Sequence, residues 1–313
     1  MKKIITTTSS FGKSDDTPLN LLRSAGCDVL ANPHGRTLTE AEAEAFYSEE
    51  RPVGVVAGVE PITADLLGKV ASHLKVISRC GTGMDNVDLA AAERLDIKVL
   101  NTPEAPAEAV AELTIGFIFS LLRNIPAHNE AVQSGQWKKQ MGRLISETTI
   151  GVMGLGRIGR RVATFLDTLG AHVVAADVKP SHEWLAAHPR VTLVEASELL
   201  AAADVLTLHL PSASGDLHHF MNKDRLARMK PGSFLVNTSR GALVDENALI
   251  AALESGHMAG AAIDVFENEP YQGGLLGRPS VILSPHAGSY ARATRVRMET
   301  EAAQNLIVAL QEL

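Results

Sequence analysis

At 313 residues the chain is longer than one ordinary domain, and its 45% hydrophobic content is enough to fill two cores. A net charge of −7, with acids and bases interspersed, excludes the basic footprint of a nucleic-acid-binding protein. Cys27 and Cys80 lack metal-ligand spacing and form no disulfide framework, no signal-peptide pattern opens the chain, and the apolar run Leu113 to Leu122 is too short to cross a membrane, so a cytoplasmic protein with no membrane partner is expected.

Taken in order, residues 2–8, 27–31, 53–57, 74–78 and 97–100 read as short strands, with helical segments near 17–26, 39–50, 62–71 and 87–95 between them. This alternation predicts a small doubly wound parallel sheet. Directly after its fourth strand stands Arg79-Cys80-Gly81-Thr82-Gly83-Met84-Asp85-Asn86. A Gly-x-Gly in that place either turns bare N–H groups toward an anion or serves only a tight turn. Glu104 to Arg123 reads as one helix that is apolar on more than one face, as at a domain junction or a subunit interface. The chain is expected to enter a second domain at about residue 102. Ser134 to Glu147, mostly polar and carrying Trp137, Lys138 and Lys139, reads as an extended surface arm that reaches a second subunit, and a homodimer is expected.

Thr149 to Asp177 has the order of a βαβ unit. Ile150, Val152 and Met153 form a short buried strand that ends at Gly154-Leu155-Gly156-Arg157-Ile158-Gly159, and Val162, Phe165, Leu166 and Leu169 then recur at helical spacing until Gly170 stops the helix. His172 to Ala176 reads as the next strand, closed by Asp177. In a G-x-G-x-x-G, Gly154 permits the tight turn, Gly156 lets a pyrophosphate approach the backbone, and Gly159 allows helix to pack on strand. The helix N-terminus faces the phosphates with free N–H groups. Asp177, about 20 residues further on, is placed to accept hydrogen bonds from ribose hydroxyls, which favours NAD, while the neighbouring Lys179 leaves NADP open.

Strand candidates 191–194, 204–209, 233–237, 259–263 and 280–283 follow, separated by helices near 196–202, 222–229 and 244–256. Seven parallel strands complete a Rossmann-type sheet, and Ala291 to Leu313 forms one long helix that packs back on the first domain. The fold class is therefore α/β with two doubly wound parallel-sheet domains, residues 1–101 plus 290–313 and residues 102–289.

Three charged residues stand just beyond strand ends of the second domain: Arg240 in Asn237-Thr238-Ser239-Arg240-Gly241, Glu269 in Asp264-Val265-Phe266-Glu267-Asn268-Glu269-Pro270, and His286 in Ser284-Pro285-His286-Ala287-Gly288. Singly, each has an ordinary reading as a solvated cation, an acidic turn or a hydrogen-bonded histidine. Beside a nicotinamide site they form a kit: a guanidinium to hold a carboxylate, a histidine to move a proton, and a glutamate to support that histidine's charge.

These segments, together with Arg79 to Asp88 and the Gly154–Gly159 loop, resemble the NAD-dependent D-2-hydroxyacid dehydrogenases, and within them the phosphoglycerate dehydrogenase branch, nearly from end to end. The resemblance implies a flavodoxin-like substrate domain, a Rossmann NAD-binding domain, a short form without a C-terminal regulatory domain, and a small-molecule substrate. It implies Arg240, Glu269 and His286 as the catalytic trio. Thr82, Gly154, Gly156, Arg157, Ile158, Gly159, Asp177, Leu210, Thr238, Ser239, Asp264 and Gly288 would bind the cofactor, and Arg79, Gly81, Gly83 and Arg240 the substrate. No metal is implied.

The expected reaction is hydride transfer between NAD(H) and a D-2-hydroxy acid/2-oxo acid pair, with 3-phosphoglycerate/phosphohydroxypyruvate first and hydroxypyruvate, glyoxylate or another 2-oxo acid as the alternative. Two departures weigh against a phosphorylated substrate. Ala57-Gly58 follow the third strand where a second arginine would help, and Pro103 to Glu108 carries two prolines and two acids where the family tends to have small polar residues. Formate dehydrogenases pair their histidine with glutamine, unlike Glu269 and His286, and a methyltransferase reading accounts for Asp177 but leaves the trio without a role. From another class, NAD-sensing corepressor scaffolds share the resemblance.

Overall fold

The computed structural model describes residues 1–211 and 217–312, so Leu313 of the last expected helix lies outside the described residues. The chain divides into two compact units, Met1–Pro106 with Ser289–Leu313, and Ala107–Gly288.

The first unit is built on β1 (Lys2–Thr6), β2 (Cys27–Ala31), β3 (Gly54–Ala57), β4 (Val76–Arg79) and β5 (Lys98–Asn101), all parallel, in the order β2-β1-β3-β4-β5. This is the flavodoxin-like order, in which the direction of winding reverses between β1 and β3. Helices α1 (Thr17–Ser24), α2 (Glu40–Glu50), α3 (Ala64–Val70) and α4 (Leu89–Arg94) connect the strands, and the last helix, α12 (Arg292–Gln311), returns to this unit. Successive strand residues point to opposite faces. Ile5, Val55 and Ile77 therefore join Leu66, Leu67 and Ala91 in one core, while Ile4, Val56 and Val76 join Leu22, Met298 and Leu306 in another. Sequence marks the helix starts: Thr39 and Glu42 close a capping box on α2, and Thr63 and Asp88 cap α3 and α4.

In the second unit α5 (Ala107–Leu122) and α6 (Ile125–Gln133) precede β6 (Thr149–Met153), α7 (Arg157–Thr168), β7 (His172–Ala176), α8 (His182–Ala187), β8 (Val191–Leu193) and α9 (Ala196–Ala202). β9 (Val205–Leu208), α10 (Lys223–Arg228), β10 (Ser233–Asn237), α11 (Glu246–Glu254), β11 (Met258–Ile263) and β12 (Val281–Leu283) follow. The seven strands lie in the order β12-β11-β10-β9-β6-β7-β8, the Rossmann order, with its reversal between β6 and β9.

Four local features differ from the sequence expectation. α5 begins at Ala107, not Glu104, because a residue before proline is pushed out of the helical region and Pro103 and Pro106 both intervene. α5 also ends at Leu122, where Asn124 turns left-handed at φ 52 and α6 starts at a 61° bend. Helix α6 has no buried residue and hence no apolar stripe to announce it, and the short α8 has none either. α7 starts at Arg157, inside the glycine motif, so the loop and the first helical turn are continuous. Among the described residues no single helix is long and apolar enough to cross a membrane.

Candidate active site

Ile150, Gly151, Val152 and Met153 of β6 are all buried, and the chain leaves the strand at the winding reversal between β6 and β9. Gly154 has φ 95, and a Cβ there would lie 2.6 Å from the His209 carbonyl oxygen, so only glycine fits. Gly159 sits against the same turn, where a Cβ would lie 1.9 Å from the Gly154 oxygen. Gly156 differs: it caps α7 in extended conformation, is exposed, and a Cβ there would meet nothing within 4 Å. Two glycines thus shape the loop and the third leaves its outer face bare, with Arg157 exposed and Ile158 partly buried in the first helical turn.

The Asp177 carboxylate accepts from the Leu155 N–H at 2.6 Å and the Lys179 N–H at 2.6 Å, which aims it back at the glycine loop. On the neighbouring strand ends, the Ser239 hydroxyl donates to the Leu210 carbonyl and the Thr238 hydroxyl lies 2.9 Å from that of Thr114. Thr114 is a polar residue in an apolar helix, and that mismatch was the only sequence signal for it.

Arg240, Glu269 and His286 follow β10, β11 and β12, which are adjacent in the sheet. The Asn237 side chain folds the first of these turns, donating to the Arg240 carbonyl at 2.9 Å and accepting from the Ser239 N–H at 3.1 Å. The Arg240 guanidinium donates to the Ser239 carbonyl at 2.7 Å and is half-buried. A Cβ on Gly241 would fall 1.9 Å from the Phe266 carbonyl carbon, so the turns after β10 and β11 meet backbone to backbone.

His286 Nδ1 lies 2.9 Å from Glu269 Oε2, while Glu269 Oε1 accepts from the Phe266 N–H at 3.0 Å. The carboxylate is therefore held by its own turn while it faces the imidazole. Partial burial pushes the Glu269 pKa up, but the His286 hydrogen bond and charge, the Phe266 N–H and the charge of Arg240 together outweigh it and hold the group below the ordinary carboxylate value. His286 has φ 54, a left-handed conformation uncommon for a residue with a side chain. Asp264, 1% exposed, maintains that turn: it accepts from the Ala287 N–H at 2.7 Å, from the Gly288 N–H at 2.9 Å and from the Ser284 hydroxyl. Its carboxylate is committed to the His286 turn, a role that sequence reading did not assign to it.

In the first unit the other expected residues cluster after β4. The Arg79 guanidinium donates to the Cys80 carbonyl and lies over Gly81, where a Cβ would sit 1.5 Å from its Nη1. Gly81 has φ 150. Thr82 is exposed with its hydroxyl toward the Pro103 carbonyl at 3.3 Å, and Gly83 is partly exposed. Nearby, and unmarked in the sequence, Glu60 is 1% exposed, accepts from the Tyr47 hydroxyl at 3.2 Å and from the Thr7 hydroxyl, and has no partner for Oε2. Cys80 is buried, and burial pushes its thiol up to about 11, so it is no nucleophile.

Comparison with known proteins adds a common ancestry to this geometry. Residues 115–288 match the family described as D-isomer specific 2-hydroxyacid dehydrogenase, NAD binding domain. The chain is 39% identical over 259 residues to D-3-phosphoglycerate dehydrogenase of Pongo abelii, covering 81% of this chain and 48% of that one. It thus spans about half the length of the curated relatives of that name. It is 36% identical over 249 residues to glyoxylate reductase of Thermofilum pendens, covering 77% of this chain and 73% of that one. A crystal structure of a protein from Thermus thermophilus superposes with a TM-score of 0.87 at 34% identity, covering 100% of this chain and 97% of the other.

Proposed function

The chain belongs to the D-isomer specific 2-hydroxyacid dehydrogenase family, and on that premise we propose that it interconverts a D-2-hydroxy acid and its 2-oxo acid with NAD(H). The observation that carries this reading is the 2.9 Å pairing of His286 with Glu269 on the same sheet edge as Arg240.

The second unit suits the cofactor. The bare outer face of Gly156 and the N-terminus of α7 would take the pyrophosphate, and Asp177 the adenosine ribose, a carboxylate that disfavours a 2′-phosphate. Arg157, Ile158, Leu210, Thr238, Ser239 and Gly288 would line the remainder. When bound, NAD supplies or accepts the hydride.

The protein's own groups then do three things. Arg240 holds the substrate carboxylate and keto oxygen by charge-assisted hydrogen bonds. Protonated His286 donates through Nε2 to that oxygen in reduction, and neutral His286 takes the hydroxyl proton in oxidation. Glu269, on Nδ1, fixes the ring and stabilises the imidazolium. Within the first unit, taken by itself, this reading assigns Arg79 and the backbone donors of Gly81 and Gly83 to the substrate and Thr82 to the cofactor.

For the substrate, the names of the curated relatives and Arg79 support 3-phosphoglycerate/phosphohydroxypyruvate. A second reading, an unphosphorylated acid such as hydroxypyruvate or glyoxylate, is favoured by a specific feature. The turn after β3 carries no cation, and the buried Glu60 carboxyl lies 2.8 Å from where a Cβ on Gly58 would be. A carboxyl in that place offers a phosphate no counter-charge. We also propose a homodimer, since Trp137 is 86% and Met141 96% exposed on the segment after α6.

The test is NADH oxidation on phosphohydroxypyruvate, hydroxypyruvate, glyoxylate, pyruvate and 2-oxoglutarate, with His286→Ala as control. Turnover that the variant abolishes supports the dehydrogenase, and the preferred acid chooses between the two substrate readings. NADH binding without turnover on any acid would redirect the assignment to an NAD-sensing scaffold.

A further inference from the structure

On the second unit, two consecutive histidines converge on a carboxylate that shares the turn of Glu269 but not its hydrogen bonds to His286 and Phe266. His218 Nε2 and His219 Nε2 each lie 3.2 Å from Oε1 of Glu267, and the three ligand atoms fall within 4.8 Å of one another. The two imidazoles stack, with ring centroids 4.0 Å apart.

The backbone beneath them is held in place. His219 adopts φ 49, and its N–H donates to the Ala242 carbonyl at 2.7 Å. The Glu267 N–H donates to Glu246 at 3.3 Å, and the flanking Gly241 and Phe266 are in backbone contact. A left-handed conformation at a residue with a side chain persists only where its surroundings impose it. Here it brings the second ring onto the same oxygen as the first.

From these observations we infer that His218, His219 and Glu267 form a binding site for a divalent transition-metal ion of the zinc class. Zinc binds imidazole nitrogen and carboxylate oxygen at about 2.0–2.2 Å, and a tetrahedral centre with such bonds has ligand atoms roughly 3.3 Å apart. Both nitrogen–oxygen separations already match that edge. The two Nε2 atoms lie within 4.8 Å of each other, and to close this third edge the His218 ring, 51% exposed, turns out of its stack on His219. Three ligands leave a fourth position for water, the open form of a zinc site. The mixed nitrogen and oxygen donor set selects Zn²⁺, Co²⁺, Ni²⁺ or Cu²⁺ over Mg²⁺ and Ca²⁺, which prefer oxygen alone. Binding exchanges any protons on the two Nε2 atoms for the ion, with no change of oxidation state.

The experiment is titration calorimetry of the untagged, chelator-treated full chain with Zn²⁺ in the absence of NADH, alongside the Co²⁺ absorption spectrum. The expected result is one saturable equivalent and visible Co²⁺ bands of a four-coordinate centre. Affinity should fall by about 10-fold or more in Glu267→Gln and in the double variant His218→Asn, His219→Asn. Asparagine tolerates the left-handed backbone at position 219, so the variants keep their fold, which their metal-free melting temperatures check. Excess Mg²⁺ should not compete. Absence of a saturable equivalent, or an affinity unchanged in both variants, would overturn the site, whatever the outcome of the dehydrogenase assay.

Discussion

His286 is useful only in the company of Glu269, and the two single substitutions should separate proton transfer from its support. His286→Ala is expected to lower turnover on the best 2-oxo acid by about 10²–10⁴-fold, while NADH affinity measured by fluorescence changes little. If turnover survives, another group moves the proton. Glu269→Gln removes the charge and leaves one acceptor oxygen for the two groups, the Phe266 N–H and His286 Nδ1, that the carboxylate faces, so turnover should fall by about 10-fold or more while NADH affinity changes little. In the wild type, Glu269 is held below the ordinary carboxylate value, so the carboxylate persists as pH falls below that value and its support of His286 is lost only on further acidification through the lowered pKa. Unchanged turnover in Glu269→Gln would show that His286 needs no carboxylate support.

At the scale of elements, two glycines in the second unit make opposite predictions. Gly241→Ala drives a methyl into the Phe266 carbonyl and should cost about 1–3 kcal/mol, seen as a lower denaturant midpoint at unchanged slope. Gly156→Ala meets nothing within 4 Å, so its stability should stay within ~0.5 kcal/mol of the wild type while NADH binding weakens, because the new methyl occupies the face a pyrophosphate approaches. Equal effects of the two changes on stability would contradict this division of labour. The adjacency of β10, β11 and β12 is the element-level fact that makes a trio of Arg240, Glu269 and His286.

For the whole molecule, Glu60 links fold stability to pH. It is fully buried in the first unit, and desolvation raises its pKa despite hydrogen bonds from Thr7 and Tyr47 and the charge of Arg79. Between the ordinary carboxylate value and the raised one, the folded chain holds a proton that the unfolded chain has released, so this group makes stability fall as pH rises through that window. Glu60→Gln should flatten that decline, gaining melting temperature relative to the wild type at neutral pH but not in acid. A constant difference across pH would mean that Glu60 binds its proton equally in the folded and unfolded chains, which would remove the link. Assembly is the other molecular-scale property: Trp137→Asp with Met141→Asp should turn a dimer into a monomer by light scattering, and a wild-type monomer would remove the dimer proposal.

The alternation of strands and helices, both sheet types, the glycine loop and the three charged residues beyond strand ends were legible because each rests on local periodicity or on a motif of a few consecutive residues. α6 and α8 were not legible, since neither buries a residue and so neither prints an apolar stripe on the sequence. Nor was the burial of the Glu60 carboxyl, because Tyr47 and Thr7 reach its Oε1 from two distant segments while Oε2 is left without a partner. The commitment of Asp264 to the His286 turn and the convergence of His218 and His219 on Glu267 likewise depend on which strand ends become neighbours. Near-neighbour spacing along the chain is enough to set the elements that bury a face and the residues available for chemistry. Which of those residues meet is settled only by packing, because hydrogen bonding and burial act between groups that the assembled sheet brings within a few ångströms.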